Sequence, residues 1–196
     1  MNKLFKVLLI AFITFNFAFA LKKEDIKDTM SNKIDSALVI LKNDKLDTDK
    51  KADELFGLFD EIFDYELMAK ISLGKNAWVK ASNEQQKEYL ELFEDRLKAS
   101  YIDKLELYTN QKIEIIDLVP YKGSRLQLKT KIIAKDETYK VHYNFYNKQG
   151  SWLIYDVNLL GVSIIKTYRN QFAGILKNKS FDELLEILKE KNKNNG

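Results

Sequence analysis

The chain has 196 residues, a formal charge of +3, one proline, seven glycines and no cysteine. The near-neutral balance excludes the broad basic face of a nucleic-acid binder, and the missing cysteines exclude disulfides, cysteine zinc sites and iron–sulfur clusters. The length suits one domain resting on packing alone, and so few glycines and prolines leave no long flexible linker.

The chain opens with Lys3 and Lys6, an apolar run from Val7 to Phe19 broken only by Thr14 and Asn16, and the small-x-small ending Ala18-Phe19-Ala20. That order reads as a secretory signal peptide, residues 1–20, cleaved after Ala20. A membrane anchor would need about 20 apolar residues, more than this run supplies. No cysteine follows the cleavage point to carry a lipid anchor. The expected mature chain works outside the cytoplasm as one domain over residues 21–190. The Lys/Asn-rich end, residues 191–196, holds little that could pack and is expected to be disordered.

Ile26, Met30, Ile34, Leu38 and Leu41 recur at helical spacing and predict a helix over 23–43. Asp47-Thr48-Asp49 starts a second helix over 48–63, whose face of Leu55, Phe56, Phe59, Ile62 and Phe63 is rich in aromatics. A short helix follows from Asp64 to Gly74, with Trp78 in the connection after it. Ser82 and Gln85 form a capping box that opens a long helix over 83–108, carrying Tyr89, Phe93, Leu97 and Tyr101 on one face. The period then changes to two. Residues 112–119, 124–134, 138–147 and 151–159 read as four strands. Their short turns require an antiparallel meander. After Gly161 the helical period returns from about 163 to 190, with a second capping box at Ser180 and Glu183. Helices, then an antiparallel sheet, then helices indicate an α+β domain with helices on one sheet face. A strongly twisted sheet of this kind closes into a cone, as in the nuclear-transport-factor-2-like architecture.

Candidate chemistry is sparse. The chain has no Gly-rich phosphate loop, HExxH or GxSxG. His142 is the single histidine and shares a strand face with Lys140 and Asn144. It reads as an exposed strand residue; a dyad with Asp156 is the alternative, since some cone-shaped domains are isomerases or dehydratases. Asp156 shares a predicted strand face with Trp152 and Ile154, and a carboxylate on a packed face needs a partner. Arg169 on the following helix can supply one, so a structural ion pair between Asp156 and Arg169 is expected. The aromatic stripes form either plain core or the wall of a cavity, and periodicity alone does not separate the two. In the cavity reading, Phe56, Phe59, Phe63, Phe93, Leu97, Tyr101, Leu126, Leu128, Val141 and Tyr143 face one apolar pocket.

Three stretches carry a family resemblance. The first is Met68-Ala69-Lys70-Ile71-Ser72-Leu73-Gly74 with Trp78, Gln85 or Gln86, and Phe93. The second runs from Gly150-Ser151-Trp152 through Tyr155-Asp156-Val157 to Gly161-Val162-Ser163, and the third is Tyr168-Arg169-Asn170-Gln171-Phe172. In order and spacing, from about Asp25 to Lys189, they resemble the MlaC-type periplasmic phospholipid-binding proteins, also called the toluene-tolerance auxiliary family. The chain departs from that pattern with a lysine in Ile164-Ile165-Lys166-Thr167. The resemblance implies a soluble periplasmic shuttle that buries the acyl tails of a glycerophospholipid between helices and sheet, with the pocket residues above as tail contacts. It implies two partners: an outer-membrane lipoprotein complex and an inner-membrane ABC transporter with a ring-forming lipid-binding subunit. It implies no cofactor and no metal, with phospholipid as cargo, in the service of outer-membrane lipid asymmetry. The alternative is a periplasmic cone-fold enzyme or small-ligand domain built on His142.

Overall fold

The computed structural model describes residues 20–193 except 106, 107, 109 and 136. All of the expected leader but Ala20 lies outside the described residues, as do residues 194–196 of the expected tail.

Helix α1 spans Ile26–Leu41 and buries Ile26, Met30 and Ile34 of the expected stripe together with Ala37, while Leu38 and Leu41 are half-buried. Helix α2, Thr48–Phe59, is capped by Asp47, whose carboxylate accepts from Lys50 N–H at 2.8 Å. A 3₁₀ turn, Asp60–Ile62, ends it. Asp64 caps α3, Tyr65–Leu73, by accepting from Leu67 N–H. Gly74 stops α3 at φ +85°, ψ +149°, a conformation nearly confined to glycine. The connection around Trp78 is a single helical turn, α4, Lys75–Trp78. Helix α5, Asn83–Leu105, opens with the expected capping box: Ser82 N–H donates to the Gln85 amide oxygen and Gln85 N–H to the Ser82 hydroxyl.

The sheet has five strands in sequence order, all antiparallel: β1 Lys112–Tyr121, β2 Arg125–Ile133, β3 Thr138–Lys148, β4 Ser151–Leu159 and β5 Val162–Ser163. The meander is the expected one, lengthened by the two-residue β5. Strand β1 runs on through Pro120, paired with Leu126, because an edge strand can seat a residue with no N–H to give. The free side of β4 is covered piecemeal. Trp152 N–H donates to Leu21 C=O at 2.8 Å, Asp64 N–H donates to Ile154 C=O at 2.9 Å, and β5 pairs with Asn158 and Leu159. Three connections are X-Gly turns with both residues at positive φ: Lys122-Gly123, Gln149-Gly150 and Leu160-Gly161.

Helix α6, Ile164–Ile175, is capped by Ser163, and α7, Phe181–Lys193, by the Ser180–Glu183 box. Residues 191–193 are helical, which corrects the expected disordered tail as far as the chain is described. The last turn is held to α5: Arg96 donates to Lys191 C=O, and Asn192 donates to Leu92 C=O. Polar side chains that cannot build a core can still satisfy backbone carbonyls, and composition does not register that contribution.

The buried residues form two clusters. In one, Leu21, Ile26, Met30 and Ile62 pack on Leu126, Leu128, Phe145 and Ile154 of the sheet. In the other, Met68, Tyr89, Phe93, Leu97, Ile165, Phe172 and Leu184 join α3, α5, α6 and α7. Phe63 touches both.

Candidate functional site

Residues paired across an antiparallel ladder share a face, so the register divides the sheet. Ile115, Leu118, Leu126, Leu128, Val141, Tyr143, Phe145, Ile154 and Val157 lie on one side. Most of that face meets α1 and the 59–63 segment. Its floor is closed, since Leu128, Phe145 and Ile154 are fully buried. Around the floor stands a rim of half-buried apolar side chains: Phe59, Phe63, Ile115, Leu118, Tyr143 and Val157. Phe59 and Phe63 meet edge to face at 6.4 Å. The Tyr143 phenol lies on the same face as Leu128, and burial pushes its pKa up to about 12. It has no hydrogen-bond partner among the described residues. An apolar wall with one hydroxyl that has no protein partner suits an apolar ligand that brings an acceptor.

The residues expected to face one pocket are divided between the two clusters. Phe59, Phe63, Leu126, Leu128 and Tyr143 come together on the sheet side. Val141 is buried on the same face of β3. Phe93 and Leu97 belong to the helical core instead, with Tyr101 packed against it. Phe93 is fully buried, with the rings of Tyr168, Tyr89 and Phe172 at 5.4, 6.0 and 6.4 Å. It is a packing residue, which corrects its expected place in the pocket wall. The helical period identifies the buried face of α5 but not the neighbour that buries it. Phe56 lies beneath the Lys98 ammonium at 5.6 Å, which also sits over Tyr65 and pairs with Asp60 and Glu94. A groove of about 320 Å³ opens elsewhere, among α5, α6, α7 and the β4–β5 hairpin; of the expected tail residues only Tyr101 borders it.

The expected Asp156–Arg169 ion pair is not formed. A bulge in β4 places Asp156 opposite Asn144 while Ile154 pairs with Phe145, so Tyr155 is the extra residue. The bulge turns Asp156 to the face opposite Ile154, against the strict alternation read from the sequence. There it ends a buried polar ladder across three strands. The Gln127 amide donates to Asn144 Oδ1 at 2.9 Å, and the Asn144 amide donates to Asp156 Oδ2 at 3.2 Å. The other Asp156 oxygen accepts from Ile165 N–H at the first turn of α6, where the helix dipole favours a negative group. Burial holds the carboxyl above its ordinary range, against the pull of the Ser163 hydroxyl, Ile165 N–H and the Asn144 amide. Arg169 lies one turn further along α6, exposed, with its guanidinium against Gly74 at the end of α3. A cation there faces the carbonyl end of that helix.

His142 stands on the same face as the ladder, paired with Lys129 and Asn158. Burial, then the charges of Lys129 and Lys140, lower its pKa. It faces away from the apolar wall, and the dyad with Asp156 is not made, because Asn144 and Ile165 occupy that carboxylate.

Sequence reasoning missed the part played by four residues. Leu21 is buried against β4, its N–H donating to the Ser151 hydroxyl. Ile26 and Met30 complete the wall; their stripe was visible in the sequence, but not what it covers. Asp64 receives the Tyr146 hydroxyl and Lys148 at 2.8 Å, tying α3 to β3. Burial raises its pKa, but the Lys148 ammonium and the Tyr146 hydroxyl outweigh that and hold it below the ordinary carboxylate range.

Comparison with known proteins follows this geometry. The family model described as MlaC protein matches residues 31–190. Toluene tolerance protein ttg2D of Pseudomonas putida is 30% identical over 104 residues, 53% of this chain and 48% of that protein. The intermembrane phospholipid transport system binding protein MlaC of Haemophilus influenzae is 25% identical over 114 residues, 56% of this chain and 53% of that protein. The aligned regions span about half the length of these curated relatives. A phospholipid-binding protein of Ralstonia solanacearum, solved with a phospholipid, superposes with a TM-score of 0.74 at 23% identity. The match covers 86% of this chain and 97% of that one, and shows that the α+β fold is shared.

Proposed function

This chain belongs to the MlaC family, and we propose that it is a periplasmic carrier that buries the acyl chains of a glycerophospholipid against the apolar face of its sheet. The observation that carries this reading is the half-buried aromatic and aliphatic rim of Phe59, Phe63, Leu118, Tyr143 and Val157, with the unpartnered Tyr143 hydroxyl among them. The names of the Haemophilus and Ralstonia proteins point the same way.

The physics gives such a carrier its purpose. Moving a lipid through water exposes its chains at about 0.8 kcal/mol per CH₂, well over 20 kcal/mol for two long chains. A protein that keeps the chains dry removes most of that barrier without a cofactor or fuel of its own. We place its function between an outer-membrane lipoprotein complex and an inner-membrane ABC transporter with a ring-forming subunit, maintaining outer-membrane asymmetry after the leader is cleaved at Ala20. The enzyme reading loses its support, because His142 faces away from the apolar wall and has no carboxylate partner. Organic extraction of the purified protein with lipid mass spectrometry tests the carrier reading. Phospholipid should be recovered at close to one molecule per chain. A folded protein that carries none and takes up no labelled phospholipid overturns it.

A further inference from the structure

Three of the six large hydrophobic residues that stand exposed among the described residues fall within four consecutive positions. Leu159 is 38% exposed, Leu160 59% and Val162 59%. They form the tip of the β4–β5 hairpin. Leu160 has φ +54° and is followed by Gly161 at +87°. Four non-glycine residues of the described chain have positive φ, and the other three are Asn110, Lys122 and Gln149. Turns of this kind favour asparagine, aspartate or glycine, and a branched apolar side chain there is held at a conformational cost. Leu160 therefore stands in water in a backbone state that disfavours it, with neither folding nor packing to account for it.

Two lysines stand beside the tip, Lys140 on β3 and Lys166 on α6. From Val157 to Phe181 the chain has no acidic residue; Lys166 and Arg169 lie on α6, while Lys177 and Lys179 lie beyond its far end, Lys179 paired with Glu183. Leu160 N–H donates to Lys140 C=O, which brings β3 and its lysine beside the hairpin. Lys166 lies on the first turn of α6, directly after β5. Neither Lys140 nor Lys166 has an acidic partner among the described residues. Burial first, and then the charges of Lys129 and Lys140, lower the pKa of the neighbouring His142.

We propose that the β4–β5 hairpin is a docking edge for an anionic phospholipid bilayer. The tip is small, convex and aliphatic, which suits insertion between head groups. The lysines beside it would sit at the level of the phosphates, their stems along the apolar boundary. Leu159 and Val162 also border the 320 Å³ groove that runs along α6, whose wall mixes Tyr101, Ile164 and Tyr168 with Arg96, Gln171 and Lys191. Docking and cargo are separable: lipid extracted from the protein reports cargo, whereas sedimentation of protein with vesicles reports docking.

The test sediments the protein from Leu21 onward with vesicles of phosphatidylethanolamine alone or mixed with phosphatidylglycerol. The parent should bind the mixed vesicles and release from them as salt is raised. Leu160→Gly should weaken that binding about tenfold, the worth of burying most of a leucine side chain. Because glycine suits the turn, the same variant should melt no lower than the parent. Lys140→Gln with Lys166→Gln should lose about fivefold per lysine. Val39→Ser, at a hydrophobe on α1 that is more exposed than Leu160, should bind as the parent does. A parent that ignores the mixed vesicles overturns the proposal and leaves the hairpin to a protein partner. Binding that is indifferent to phosphatidylglycerol, or unchanged in Leu160→Gly, overturns it as well.

Discussion

Phe59→Asp separates a ligand wall from an ordinary core. Phe59 is half-buried at the last turn of α2, against Phe63. In the empty protein an aspartate there reaches water. Losing half a phenylalanine's burial costs about 1–2 kcal/mol, and a negative charge at a helix C-terminus about 0.3–1 kcal/mol more. A domain of this size tolerates that loss. With acyl chains packed against the same position, the carboxylate loses its water, and the nearby Lys33 and Lys98 are already engaged by Leu58 C=O, Glu61, Asp60 and Glu94. Its desolvation then costs several kcal/mol. At about 1.4 kcal/mol per tenfold, affinity should fall ~100-fold or more. The assay is the ratio of phospholipid to protein after purification, beside binding of a fluorescent phospholipid, with circular dichroism to show that the variant folds. His142→Ala, on the opposite face, serves as the comparison and should keep its lipid. A folded Phe59→Asp protein with a full complement of phospholipid would refute the assigned wall. Lipid loss in His142→Ala would mean that the wrong face of β3 has been chosen.

Tyr143→Phe should leave stability unchanged or slightly raised, because the lost hydroxyl has no partner in the empty protein. If that hydroxyl donates to a lipid ester oxygen, affinity falls by about 0.5–1.5 kcal/mol, read in the same fluorescent assay; equal affinity removes the contact. Asp156→Ala strands the Asn144 amide and Ile165 N–H without an acceptor, which should cost about 2–4 kcal/mol in urea unfolding. Because burial raises the Asp156 pKa in the folded state, the native protein binds that proton more tightly than the unfolded chain. The group thus favours folding most below the unfolded carboxylate value and loses that contribution as pH rises through its raised one. Asp64 has the opposite sign: its lowered pKa gives stability above the unfolded value that is lost as pH falls, so Asp64→Asn should reduce acid sensitivity. Gly74→Ala should cost about 1–3 kcal/mol, since it forces a side chain into a glycine-only conformation beneath Arg169; an unchanged melting temperature would show that α3 ends differently.

What the sequence determined by itself was local. The two capping boxes formed as spelled, because each needs only residues three apart. The shift of apolar period marked where helices give way to strands, and turns of a few residues permit only antiparallel neighbours. The family was legible too, since Tyr155-Asp156-Val157, Gly161-Val162-Ser163 and Tyr168 to Phe172 lie at fixed spacing. The structure gives part of that spacing a reason: Asp156 anchors the start of α6, and Arg169 covers the end of α3.

Two matters were settled only by the tertiary structure. One residue of bulge at Tyr155 reversed the face of Asp156, because side-chain direction in a strand depends on the count of residues opposite a partner, and the partner is not written in the strand. The division of the aromatics was the other. Phe59 and Phe93 carry the same signal in sequence, an aromatic on the apolar face of a helix. Phe59 meets the sheet and keeps part of its surface open, whereas Phe93 is enclosed by Tyr89, Tyr168 and Phe172. Periodicity fixes which side of a helix avoids water. Whether that side meets another helix, a sheet or a ligand depends on chain segments tens of residues away, and only the packed fold brings those together.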